Sequence, residues 1–169
     1  MSRTKAREIA LHLIFEMGFQ QFEDENLNNR LDESIMASIS GDIALYAGKL
    51  SDQQIRYIKS VVTGVAGQLD ELDRTIEAYS KGWKLSRLSR MTTALLRLAI
   101  YEMRCVDDVP VGAAINEAVE LAKEYDTEEA ASFINGILGS VARAEFPDKA
   151  ASAETVAAPE AEQPENTDA

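Results

Sequence analysis

Residues 95–138, LLRLAIYEMRCVDDVPVGAAINEAVELAKEYDTEEAASFINGIL, decide the fold of this chain. They contain three helical apolar patterns that follow one another with very short breaks. Residues 107–110 predict the first break, because Pro110 is tolerated only near the start of a helix. Asp126 is the predicted N-cap of the third helix, with Glu129 at the capping-box position. The stretch therefore predicts closely packed helices.

The preceding residues extend this all-α interpretation. A first helix is expected from about Thr4 and a short helix around residues 31–39. Ser51 and Gln54 predict a capping box for the next helix, whose apolar residues alternate spacings of three and four as far as residue 76. This heptad pattern is compatible with a coiled-coil dimer, but its flanking positions lack paired opposite charges. Packing inside a bundle is the favoured interpretation.

Two glycines interrupt this heptad pattern. Gly64 and Gly67 lie inside the predicted helix, where glycine is a poor helix former. They predict either a kink or the close approach of a neighbouring helix. No strand pattern is found in the sequence.

The composition indicates one globular domain. The chain has 169 residues, of which 46% are apolar, so it is long enough to bury a core. It has no apolar run of the roughly 20 residues that a membrane-spanning helix needs. Charged residues interrupt the apolar start that weakly resembles a signal peptide, so we expect a cytoplasmic protein without membrane contact. Cys105 is the only cysteine, which excludes an internal disulfide and a cluster of thiolate metal ligands.

Acidic residues dominate the charge balance, and many of them lie at the C-terminus. The net charge is −12, and residues 150–169 hold five acids and no base, so the rest of the chain carries −7. We predict a domain over residues 1–146 and a disordered acidic tail over residues 147–169. The favoured role of the tail is to increase solubility, and the alternative is that it mimics nucleic acid and screens a basic site.

The sequence predicts no enzyme. His12 is the only histidine, and no cysteine or serine motif lies beside it. The chain contains no phosphate loop, dinucleotide fingerprint, metalloprotease motif or calcium loop, so no cofactor or metal is expected.

Basic residues cluster at two places in the sequence. Arg3, Lys5 and Arg7 occupy the start of the first helix, where backbone N–H groups already attract phosphates. Residues 78–101 contain no acid but include basic residues beside Trp83. Both clusters are candidate phosphate-docking sites. The alternatives are solvated cations, a favourable interaction with a helix C-terminus, and a core position for Trp83.

Residues 95–138 resemble the NusB family of bacterial transcription antitermination factors. The resemblance lies in LRLAIYEM, DDVP, INEAVELAKEY and FINGIL, and extends more weakly through KAREIAL to cover roughly residues 3–145. It implies a compact bundle of about seven helices, arranged as two three-helix units packed across one another. It also implies binding of a boxA-type single-stranded RNA, together with the small-subunit ribosomal protein NusE, to support an elongating RNA polymerase on ribosomal RNA operons.

The basic clusters and the resemblance together give candidate residues for these roles. The candidate RNA-binding residues are Arg3, Lys5, Arg7, Phe133, Lys81 and Lys84. The candidate residues for contact with NusE are Leu11, Phe15, Arg87 and Arg90. For Leu11, Phe15 and Phe133, the helical spacing leaves core packing as the alternative.

Two other functions remain possible from the sequence. A similar helical domain precedes the catalytic domain of some RNA cytosine methyltransferases, but we expect no such enzyme because little chain follows residue 145. The acidic composition and the thin basic cluster favour a second alternative, a protein-binding helical module without direct RNA contact.

Overall fold

The computed structural model describes residues 3–17, 33, 50–82 and 84–149. Apart from residue 33, the predicted helix around residues 31–39 lies outside these ranges, and so do residues 150–169 of the predicted tail. Within the described ranges the chain forms six complete α-helices and one 3₁₀ turn, residues 33 and 147–149 are also helical, and no described residue lies in a strand. The elements are α1 (Arg3–Met17), α2 (Asp52–Gly67), α3 (Leu69–Tyr79), the 3₁₀ turn (Leu85–Arg87), α4 (Arg90–Cys105), α5 (Val111–Tyr125) and α6 (Glu128–Glu145).

The predicted capping box starts α2. The Gln54 backbone N–H donates to Ser51 Oγ at 3.1 Å, and the Ser51 backbone N–H donates to Gln54 Oε1 at 2.9 Å. The two glycines predict a kink or a close neighbour, and the structure has both. The helix breaks at Gln68, directly after Gly67. At Gly64 the Tyr101 ring lies so close that an added Cβ would be 2.1 Å from its hydroxyl oxygen.

The junction between α5 and α6 corrects one prediction. Thr127, and not Asp126, is the N-cap of α6, and its Oγ1 accepts from the Ala130 backbone N–H at 3.0 Å. Glu129 therefore does not lie at the capping-box position, which falls on Ala130. Asp126 instead binds the start of α4, since its Oδ2 accepts hydrogen bonds from Ser89 Oγ and Thr92 Oγ1, both at 2.8 Å.

Helix α4 lies at the centre of the molecule. It forms one three-helix unit with α5 and α6. Within the described chain, α5 and α6 make the most extensive contact between two helices. Helices α1 and α2 pack on each other and both contact α4, which confirms the predicted arrangement of units packed across one another. The apolar face of α2 is buried in this interface, with Ile58, Val62 and Val65 fully inaccessible, so the bundle interpretation of the heptads is confirmed.

The described part of the chain contains no helix with an apolar stretch long enough to cross a membrane. Directly after α6, Phe146 packs partly buried against the hydrophobic core.

Candidate nucleic-acid interface

Arg3 begins α1 and is held on two sides by groups that are distant in sequence. Its Nη2 donates to Asp108 Oδ2 at 2.6 Å, and its guanidinium lies 5.1 Å from the centre of the Tyr57 ring. The hydrogen bond from Arg3 lowers the pKa of Asp108 below its ordinary value. The pair lies at the surface, with 28% of the Arg3 side chain and 66% of the Asp108 side chain exposed. Arg3 therefore remains accessible from solvent.

Arg7 lies inside the protein, which corrects its predicted role as a phosphate contact. Its Nε and Nη2 each donate to a carboxylate oxygen of Glu102 at 2.8 Å, and Glu117 Oε2 lies 3.6 Å from Nη1. Only 6% of the Arg7 side chain and 1% of the Glu102 side chain are exposed. Burial alone would lower the pKa of Arg7, but the hydrogen bonds and charge of Glu102 outweigh it and raise that pKa. Arg7 therefore anchors α1 to α4.

Thr4 and Lys5 complete the start of α1. Thr4 Oγ1 donates to Glu117 Oε1 at 3.3 Å, so the first turn of α1 is linked to α5. Lys5 is partly exposed and forms no ion pair with any residue that the structure describes. Of the three predicted cations, Arg3 and Lys5 can reach a phosphate from solvent, whereas Arg7 cannot.

Tyr57 lies below Arg3 and close to the buried Arg7–Glu102 pair. It is buried, and this burial raises the pKa of its hydroxyl well above the ordinary value. The negative charge of Glu102 raises the pKa of Tyr57 further. Ionisation of Tyr57 is therefore opposed in the folded protein.

We expect alkaline pH to reduce the free energy of unfolding. The folded-state pKa of Tyr57 exceeds the value of about 10 in an unfolded chain, so its stabilising contribution is complete below about pH 10 and is lost above it. Urea unfolding between about pH 8 and about pH 11 measures this loss. Tyr57→Phe should reduce the loss but not abolish it, because burial also raises the pKa of Tyr101. An identical pH dependence in the wild type and Tyr57→Phe would contradict the prediction.

The apolar candidates on α1 divide between core and surface. Leu11 is fully buried, so its predicted contact with a partner is wrong and core packing is its role. Phe15 is partly buried and packs against the core. Phe133 on α6 has the same partly buried position. Phe15 and Phe133 therefore each retain surface that a ligand can contact.

The second basic cluster lies in the connection from α3 to α4. Lys81, Lys84, Arg87 and Arg90 are all exposed. The first three of them, with Gly82, line an open depression of about 310 Å³. Lys81 has a φ of 50°, which places the turn after α3 in the left-handed region. Trp83 lies outside the described residues.

Arg97 lies within the same acid-free stretch, residues 78–101, but its side chain forms an ion pair within the fold. Its Nε and Nη2 donate to the two oxygens of Asp73 at 2.8 and 2.9 Å. This bidentate pair ties α4 to α3, so Arg97 contributes little free positive charge.

Sequence reasoning missed the acids that control the basic start of α1. Glu102 carried a signal, because it lies within the apolar pattern of α4 and a buried carboxylate requires a charged partner. No feature of the sequence indicated that Asp108 binds Arg3, since this residue was recognised only as part of a helix break. Its hydrogen bond with Arg3 depends on how α1 lies across the loop between α4 and α5.

Comparison with known proteins agrees with this architecture. Residues 4–143 match the NusB family. The transcription antitermination protein NusB of Acetivibrio thermocellus is 47% identical over 144 residues, which are 85% of this chain and 90% of that protein. The protein of the same name from Clostridium kluyveri is 38% identical over 152 residues, covering 86% of this chain and 97% of that protein.

A solved structure of T. maritima NusB has the same fold. It superposes with a TM-score of 0.73 at 28% identity, over 90% of this chain and 98% of that one. The fold and the sequence matches thus lead to one conclusion: this chain belongs to the NusB family.

Proposed function

We propose that the protein is a transcription antitermination factor that binds a boxA-type single-stranded RNA together with the ribosomal protein NusE. In this role it supports an elongating RNA polymerase on ribosomal RNA operons. The observation that carries the proposal is the match to the NusB family over residues 4–143, with relatives named transcription antitermination proteins.

The partly exposed cations at the start of α1 support an RNA-binding role. Arg3 and Lys5 lie where the unpaired N–H groups of the helix start add positive potential. Phosphate contacts of this kind provide affinity and orientation, and not sequence choice. Because Arg7 is buried and Arg3 is hydrogen-bonded to Asp108, we expect the protein alone to bind RNA weakly. A second protein that binds both this chain and the RNA would strengthen the complex through effective concentration.

The loop between α3 and α4 supplies a second candidate surface for RNA. Lys81 and Lys84 are exposed and line the open depression of about 310 Å³, where a phosphate group would lie beside their positive charges. Phe133 would add a stacking surface for an unpaired base, the usual means of reading single-stranded RNA. Arg87, Arg90 and Phe15 remain the candidates for the interaction with NusE, since all three retain exposed surface.

The contribution of the loop cations can be measured directly. We expect the variant Lys81→Asn/Lys84→Ala to weaken RNA binding, because two RNA phosphates are no longer neutralised. Asn is chosen at position 81 because it tolerates a positive φ. The slope of log K against log salt concentration should fall by about 0.7 for each phosphate that loses its cation. Lys123→Ala is the matched control, because Lys123 is exposed but pairs with Glu120 on the same helix. An equally large effect in the control would contradict the assignment.

The proposed function is tested by RNA binding with and without NusE. We expect a labelled boxA RNA to bind weakly to the protein, more tightly to the complex with NusE, and less tightly as salt is raised. A same-length RNA without the boxA element is the control for sequence preference. Binding of NusE without RNA binding would instead support the protein-binding helical module. Absence of both interactions would overturn the proposal.

A further inference from the structure

The basic start of α1 contains two ion pairs of opposite character. The Arg7–Glu102 pair is bidentate and buried, so neither group can exchange its partner for a ligand from solvent. The Arg3–Asp108 pair has a single hydrogen bond and an exposed carboxylate. Exposed ion pairs contribute little to stability, which makes this second pair readily replaceable.

The Arg3 guanidinium has a second contact that holds its orientation when a ligand displaces Asp108. The guanidinium lies over the Tyr57 ring, an interaction that does not involve the carboxylate. Tyr57, on α2, is itself buried in the core. A phosphate can therefore take the place of the Asp108 carboxylate on a guanidinium that is already held in position, since both anions suit the same donor geometry.

Asp108 also places negative charge beside the path of an approaching nucleic acid. It lies with Asp107 in the loop between α4 and α5, and both side chains are exposed. An RNA phosphate that reaches Arg3 must come close to this loop, because Arg3 Nη2 and Asp108 Oδ2 are 2.6 Å apart. Repulsion between the phosphate and the carboxylate adds to the competition for Arg3.

We propose that Asp108 is an affinity-determining residue of the RNA site, which competes intramolecularly with an RNA phosphate for Arg3. The inference rests on the proposed function, because it assumes that single-stranded RNA binds at the start of α1. Asp108 would lower the affinity of the protein for any RNA phosphate backbone. Weak indiscriminate binding is thereby suppressed, and stable binding requires the additional contacts of a correct RNA and partner.

The test compares two neighbouring substitutions that change the net charge equally. Asp108→Asn removes the competing charge and keeps the size of the side chain. Asp107→Asn is the matched control, since Asp107 is exposed and pairs with no cation in the described ranges. We expect Asp108→Asn to bind a labelled single-stranded RNA about three- to fivefold more tightly than the wild type, as loss of one exposed ion pair allows. Asp107→Asn should bind it with nearly the wild-type affinity.

A double-mutant cycle then assigns the gain to Arg3. In an Arg3→Gln background, Asp108→Asn should have no more effect than Asp107→Asn, because no guanidinium remains to be released. Thermal unfolding of each variant verifies that the fold is retained.

Three outcomes would overturn the proposal, and they differ in what else they imply. Equal gains for Asp107→Asn and Asp108→Asn would assign the effect to net charge. RNA binding by the wild type without a gain in Asp108→Asn would exclude competition while leaving the proposed function intact. If neither the wild type nor any variant binds RNA, even with NusE, the proposed function fails and this inference fails with it.

Discussion

We expect Glu102→Gln to lower the free energy of unfolding by about 3 kcal/mol or more, the usual cost of removing one partner from a buried ion pair. Glu102 is 1% exposed and binds Arg7 through both carboxylate oxygens. After the substitution Arg7 stays charged, because a guanidinium is not deprotonated in proteins at neutral pH. Among the residues that the structure describes, its remaining acidic neighbour is Glu117, with its Oε2 at 3.6 Å from Nη1. The charge would therefore be buried with one distant partner.

Urea unfolding of the wild type and the variant measures this cost, and a surface pair provides the matched control. Glu145→Gln removes the carboxylate that Arg104 binds at 2.8 Å, but that side chain is 32% exposed. Its loss should cost about 1 kcal/mol or less. The double substitution Arg7→Met/Glu102→Leu should be less harmful than Glu102→Gln alone, because it leaves no buried charge. Equal losses for Glu102→Gln and Glu145→Gln would contradict the prediction.

We expect Gly64→Ala to destabilise the protein by about 2 kcal/mol, through overpacking between α2 and α4. An added Cβ would lie 2.1 Å from Tyr101 Oη and 2.2 Å from its Cζ. The ring cannot absorb this by a small rotation, because its Cε2 also lies within 2.5 Å of the same position. Helices α2 and α4 must therefore separate, or the Tyr101 side chain must leave its position.

Gly67→Ala is the control for helix propensity. Gly67 lies at the end of the same helix, and an added Cβ there meets no atom within 4 Å. This substitution should be neutral or stabilising by up to about 1 kcal/mol, since alanine loses less backbone entropy than glycine on folding. Thermal or urea unfolding of both variants separates the two effects. The prediction is wrong if both substitutions change stability in the same direction.

The helices were predictable because their signals are local. Apolar spacing located α1, α2 and the three helices after residue 90, and the Ser51–Gln54 capping box marked the start of α2 correctly. The N-cap of α6 was misplaced by one residue, because Asp126 and Thr127 are both good caps in isolation. The choice depends on Ser89 and Thr92, which engage the Asp126 carboxylate and leave Thr127 as the cap.

The candidate site was harder to predict because it depends on interactions across the fold. The sequence located the basic start of α1 but could not distinguish Arg3, which is accessible, from Arg7, which is buried four residues later. Their different environments come from Asp108 and Glu102, on the loop after α4 and on α4 itself. For Leu11, core packing was the alternative to the predicted contact with NusE, and the structure places the side chain in the core with no exposed surface.

The anchoring of α1 has a consequence for protein synthesis. Arg7, Arg3 and Thr4 bind residues that follow them by 95, 105 and 113 positions in the chain. At typical translation rates those partners emerge from the ribosome about 5 to 20 s after these three residues do. The Arg7 ion pair with Glu102 therefore cannot form until α4 has been made, and the Thr4 hydrogen bond to Glu117 cannot form until α5 has been made. A nascent chain that ends before α4 would carry the basic start of α1 without its acidic partners, so the finished binding surface appears only late in translation.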